Sequence, residues 1–177
     1  MLEYFDENNI KALGTAERDY IHKNNLWHRE ISIWVMNEND EVLFQKRSPL
    51  KKQYPNKYAV CSGHIDINEN PKTAAIRELK EETGIITKEK DLINIDTYIN
   101  VQEENNHFKY TYLIFTNKKI EDMTKQEEEV SELKFITLNE LERLINTQDD
   151  MLTFSKKHYA KPILSFLKKI AKDRKYF

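Results

Sequence analysis

The stretch NPKTAAIRELKEETG, from Asn70 to Gly84, constrains this chain most, because helix-end chemistry fixes both of its limits. Asn70 is a good N-cap, since its side chain can accept the free amides of a first turn. Pro71 follows at the first helical position, where a missing N–H is harmless, and Gly84 stands just past the last turn as a C-cap. A helix from Pro71 to Thr83 is therefore predicted. Along it Glu78, Glu81 and Glu82 lie three and four apart and share one side, while Ala75 and Leu79 can pack inward. Like charges so placed repel one another. A solvated acidic face would tolerate them, whereas a hard cation would use them: Mg²⁺ takes oxygen ligands and is usually held by a few carboxylates together with substrate phosphates.

The rest of the chain sets the frame for that helix. At 177 residues and 39% hydrophobic content it can bury one good core, so a single domain over residues 1–177 is expected. Charged residues make up 33% of it, yet the net charge is −2, which offers no overall basic field for nucleic acid. No nucleic-acid partner is expected. The opening MLEYFDENNIKALG is acidic where a signal peptide is basic, and no apolar run reaches membrane-spanning length, so no membrane partner is expected either. Cys61 stands alone, which excludes an internal disulfide framework and a multi-cysteine metal site and fits a reducing, cytoplasmic setting. Nothing fixes the oligomeric state, and a homodimer is compatible with the sequence.

Strand-like runs occur at EISIWVM (30–36), EVLFQKR (41–47) and KYAVCS (57–62), the first two joined as a hairpin by the turn residues of NEND. Further strands are predicted at LINIDTYINV, HFKYTYLIF and LKFIT. In the middle one Phe108, Tyr110, Tyr112 and Ile114 alternate onto one face and read as packing residues. Helices are predicted from Leu138 to Ile145, with Thr137 and Glu140 as a capping box, and from about Ser155 to Lys172.

The segment GHIDINENPKTAAIRELKEETGI (63–85) resembles the signature of the Nudix hydrolases, G-x5-E-x7-R-E-U-x-E-E-x-G-U with U aliphatic. Gly63, Glu69, Arg77-Glu78-Leu79, Glu81-Glu82 and Gly84-Ile85 fill every fixed position. The resemblance implies an α/β/α sandwich around a central mixed β-sheet, an α+β arrangement. It implies a Mg²⁺-dependent hydrolase, with Mn²⁺ as the alternative ion, that cleaves a diphosphate linkage in a small molecule. Glu78 and Glu82 would bind the metal, Glu81 would assist as ligand or base, and the Gly63 carbonyl would complete the metal shell. Glu69 and Arg77 would pair to hold the loop on the helix, with Gly84 as a structural glycine. Nudix enzymes often draw one more glutamate from outside the signature, and TKQEEEVSELKF supplies Glu129, with Glu128 second to it.

The stretch RDYIHKNNLWHREISIWVMNENDEVLFQKRSPLKKQYPNKYAVCSGH resembles the isopentenyl-diphosphate isomerase-like branch of that family. By this likeness Lys46, Arg47 and Lys51 would meet the diphosphate, Arg47 offering a fork and Lys51 a mobile charge. Isomerisation is the rival activity. An isomerase places a cysteine immediately before Gly-His, whereas here Ser62 precedes Gly63-His64, and strand alternation turns Cys61 to the other side. Phe108 and Tyr110 stand where isomerase glutamates are expected. His22, His28 and His64 then read as structural or substrate-facing residues rather than as a metal cluster. A non-catalytic nucleotide-sensing domain is the other alternative, and it would be expected to lose signature glutamates. The basic stretch FLKKIAKDRKYF reads as a packed helix with an exposed lysine face.

Overall fold

The computed structural model describes residues 1–100 and 106–174. The chain opens with a small antiparallel hairpin, β1 (Leu2–Phe5) and β2 (Ala12–Ala16), followed by a short helix, α1 (Arg18–Lys23). Then come β3 (His28–Met36), β4 (Glu41–Arg47), β5 (Tyr58–Ala59), β6 (Cys61–His64) and α2 (Pro71–Thr83). The second half supplies β7 (Ile93–Asn100), β8 (His107–Phe115), β9 (Val130–Thr137), α3 (Leu138–Asn146) and α4 (Ala160–Arg174).

β3 and β4 form the predicted hairpin, closed by the Asn37 side chain, which accepts the amides of Asn39 and Glu41 at 3.0 and 2.9 Å. They register at Met36 and Val42 and then part. Into the opening runs β6, antiparallel to β3, which sets Cys61 opposite Ile33 and His64 opposite Glu30. β4 turns instead to β5 and β9, while the other edge of β3 takes β8 in parallel and β8 takes β7. The result is a seven-stranded mixed sheet.

Period-two alternation then assigns the two cores. Ile31, Ile33 and Val35 face α2 and pack with its Ala74, Ala75 and Leu79. Trp34 and Met36 face the other way, onto Leu141 and Leu144 of α3 and Leu164 and Leu167 of α4. Each such aliphatic side chain contributes about 1.5–3 kcal/mol on burial, so the helices are clamped to both faces. This is the expected α/β/α sandwich. No helix among the described residues is long and apolar enough to cross a membrane.

Several element limits differ from the sequence expectation. The strand expected at 57–62 is two strands separated at Val60, and the second runs on through Gly63 to His64. The last helix begins at Ala160, not Ser155, because Pro162 belongs in a first turn and would break a bond in a helix begun earlier. Val101, the last residue of the predicted LINIDTYINV strand, lies outside the described residues, as do the final three of the basic C-terminal stretch. The β1–β2 hairpin and α1 carry no strong periodicity and were not anticipated.

Candidate active site

α2 is capped as its sequence demands. Asn70 Oδ1 accepts from Lys72 and Thr73 amides, both at 3.0 Å, and Gly84 adopts φ +66° with its amide on the Lys80 carbonyl at 2.9 Å. The helix therefore starts and stops in fixed register, which decides where its acidic side points.

Arg77 ties that side together. Its guanidinium grips Glu69 with two bonds, Nε to Oε1 at 3.0 Å and Nη2 to Oε2 at 2.8 Å. Nη1 reaches Glu78 Oε1 at 2.8 Å and Glu81 Oε2 at 3.4 Å, and Nη2 also donates to the His64 carbonyl at 3.1 Å. One side chain thus fixes loop, helix and the end of β6. Gly63 faces Glu78 so closely that a Cβ there would overlap its carboxyl group.

Glu82 is the most enclosed of the three helix carboxylates at 3% exposure, and its Oε2 accepts from Gln45 Nε2 at 3.0 Å and the Ser62 amide at 3.3 Å. Burial pushes its pKa up to about 8; hydrogen bonds from Cys61 and Gln45 oppose the rise, and Glu78 and Glu129 add to it. Burial likewise raises Glu78, against the pull of Arg77. Glu78 keeps the Arg77 guanidinium beside it, whereas Glu82 has no ion pair among the described residues. They line a cavity of about 690 Å³ together with Gly63, Glu129, Arg47 and Lys51. Glu129 and Lys51 meet there, Oε1 to Nζ, at 2.7 Å.

Three placements bear on the sequence expectation, and the first departs from it. Lys46 does not line the cavity, because along β4 it alternates away from Gln45 and Arg47. Glu128 is exposed and outside it as well, whereas Glu129, one residue on and hydrogen-bonded through its amide to Gln126, turns in. Cys61 is turned away from the cavity as alternation predicts, with Ser62 lining it instead, and lies in the core under α2 with its thiol against Glu82. Burial pushes that thiol well above its ordinary range.

Beside this site lies a buried histidine cluster. Ring nitrogens of His22, His28 and His64 and an oxygen of Glu30 all fall within 4.8 Å of one another, close enough to share a metal ion. His64 faces the cavity, and His22 and His28 stand behind it. Burial drives His64 down to about 3, so it is neutral, although Glu30 pulls the other way. Glu30 already has a cation, for Lys109 Nζ sits 3.2 Å from its Oε2. Burial would raise Glu30, but Lys109, His107, His28 and His64 together hold it well below the usual carboxylate range. Arg18, Glu30, Lys109 and Lys157 line the cavity without having been anticipated. One signal was available: His28, Glu30 and Ser32 alternate as a polar row on one face of β3, matched by His107, Lys109 and Thr111 on β8.

Comparison with known proteins identifies the family and the fold. Residues 26–157 match the NUDIX domain family. The chain belongs to the Nudix family. An uncharacterized Nudix hydrolase of Clostridium acetobutylicum is 34% identical over 160 residues, covering 84% of this chain and 75% of that protein. An isopentenyl-diphosphate Delta-isomerase of Aliivibrio fischeri is 30% identical over 152 residues, covering 81% and 83%. The Nudix fold recurs in a Deinococcus radiodurans crystal structure, with a TM-score of 0.72 at 17% identity and coverage of 90% of this chain and 96% of that one. As a Nudix hydrolase the protein is an enzyme of pyrophosphate bonds.

Proposed function

We propose that the protein is a Mg²⁺-dependent hydrolase that cleaves a diphosphate linkage in a small organic or nucleoside diphosphate derivative. One observation carries this reading: the carboxylates Glu78, Glu81 and Glu82 of α2 and the cations Arg47 and Lys51 line the same cavity. The donor set suits a hard cation, since Glu78, Glu81, Glu82 and the Gly63 carbonyl offer only oxygen. When bound, the ion neutralises diphosphate oxygens and makes the attacking water more acidic. Glu78 and Glu82 hold it, and the pairing of Glu69 with Arg77 keeps their helix in place. Arg47 binds phosphate oxygens with its fork. Lys51, paired with Glu129 in this structure, turns to the incoming phosphate and leaves that carboxylate free. Glu81 or the freed Glu129 then takes the proton from water as it attacks phosphorus, the bridging P–O bond breaks, and the other phosphate leaves with its oxygen.

The isomerase alternative lacks a thiol in the cavity, because Ser62 stands where the cavity would need it and Cys61 is turned into the core. The sensing-domain alternative has no missing signature carboxylate to support it. The decisive experiment is a panel of diphosphate compounds with Mg²⁺ or Mn²⁺, monitored for released phosphate-containing products. Metal-dependent cleavage that disappears in Glu82→Gln is expected, and equal turnover with and without metal would overturn the reading.

A further inference from the structure

The turn that leads into α4 is fastened to the core on both sides of Lys157. Phe154 stacks on Phe44 at 6.0 Å and meets Trp34 edge-on at 5.2 Å, and Tyr159 is buried in the same cluster. Half-buried between these anchors, Lys157 lines the cavity, and so does Lys109 from β8. Lys109 is compensated by Glu30. Lys157 has no ion pair among the described residues; its pKa is lowered by burial and then by the like charge of Lys109. A partly desolvated ammonium that shares a cavity with another is unfavourable until an anion joins them.

The cations assigned to the diphosphate act chiefly with other carboxylates, although Glu30 also reaches Arg47. The carboxylates acting most on Arg47 are Glu82 and Glu129, and Lys51 is bonded to Glu129. Lys109 answers to Glu30, and Lys157 to Lys109. A hydrocarbon tail placed here would strip water from the Lys157 ammonium and return no hydrogen bond.

We propose that Lys109 and Lys157 form a second anion subsite, so that the substrate carries a further phosphate or carboxylate on the part of the molecule away from the scissile linkage. This rests on the diphosphate-hydrolase reading and narrows its substrate class.

Matched compounds test it: ADP-ribose against its 2′-phosphate, and UDP-glucose against UDP-glucuronate, with isopentenyl diphosphate as the apolar-tailed control. The readout is the kcat/KM ratio within each pair. The more anionic member should be favoured by about tenfold or more in one pair, and which pair responds separates phosphate from carboxylate. Lys157→Met, which keeps the stem and removes the charge, should collapse that ratio, and Lys157→Arg should restore it. A ratio near one in both pairs, a ratio untouched by Lys157→Met, or isopentenyl diphosphate as the preferred compound would overturn the subsite. Metal-dependent cleavage of none of the five would instead overturn the hydrolase reading, and the subsite with it.

Discussion

Gly63 and Glu78 are in such close contact that a single methyl group on the glycine would occupy the space of the carboxyl group. The backbone of β6 therefore sets where that carboxylate lies. Gly63→Ala should displace it and lower activity by about 10²-fold or more, as for loss of a metal ligand or base, while the fold survives. Steady-state rates beside circular dichroism would check this, and a variant of normal rate would show that the close approach has no part in the chemistry.

Glu78→Gln and Glu82→Gln remove one negative charge each with little change of shape. Activity should fall by about 10²–10⁴-fold, and the Mg²⁺ concentration for half-maximal rate should rise in parallel. Titrating Mg²⁺ against rate measures both effects, and near-normal turnover of both variants at limiting Mg²⁺ contradicts the ligand assignment.

Arg77→Ala would leave Glu69, whose side chain is 12% exposed, without its bidentate partner and the His64 carbonyl without a donor. Because the guanidinium is itself 28% exposed, the cost should be about 1–3 kcal/mol rather than the larger figure for a fully buried pair. Urea unfolding at neutral pH is the check. An unchanged midpoint would mean that the pair does not brace the loop.

His64 gives a pH dependence of defined sign. Its pKa falls from an ordinary 6.5 to about 3 in the folded protein, so below pH 6.5 the unfolded chain binds a proton that the folded one refuses. Its contribution is fully present above pH 6.5 and is lost as pH falls toward 3. Glu30, held low, adds its own loss only below the ordinary carboxylate value of 4.5. Between those limits Glu82 and Glu78, raised by burial, act in the opposite sense, and His22 in the same sense, so the test is the difference between proteins: His64→Asn should gain stability relative to the unaltered protein as pH falls. Urea midpoints at several pH values between 4.5 and 6.5 measure it; parallel curves for the two proteins would remove His64 as the source.

Cys61 distinguishes hydrolysis from isomerisation. With isopentenyl diphosphate and Mg²⁺, no dimethylallyl diphosphate should form, and Cys61→Ser, which keeps a donor beside Glu82, should retain most hydrolytic activity on the preferred substrate. Cys61-dependent formation of dimethylallyl diphosphate without phosphate release would make the protein an isomerase.

The helix α2 was legible to the residue because Asn70, Pro71 and Gly84 act through local backbone chemistry that needs no tertiary partner. The paired Glu69 and Arg77 were legible through the family resemblance, and their bonds follow from helix register. Lys46 was misplaced because a strand end written KR does not say which residue faces in; that depends on the pairing of β4 with β9. The wall formed by Glu30, Lys109 and Lys157 was missed for a stronger reason. Its members come from β3, β8 and the turn before α4, and only the parallel register of β3 with β8 brings Glu30 beside Lys109. Polar alternation on each strand hinted at a common face without revealing what lay across from it.

The parting of β3 and β4 after Met36 and Val42 has a consequence for how such an enzyme can change. It leaves the bond-breaking groups on α2 and β6 along one flank of the opening, while the side chains that would sort substrates hang from β8 and a turn borrowed from the far end of the chain. Lysines in those outlying segments can be exchanged for apolar or acidic residues without moving a carboxylate of the helix, so that preference drifts while reactivity stays put.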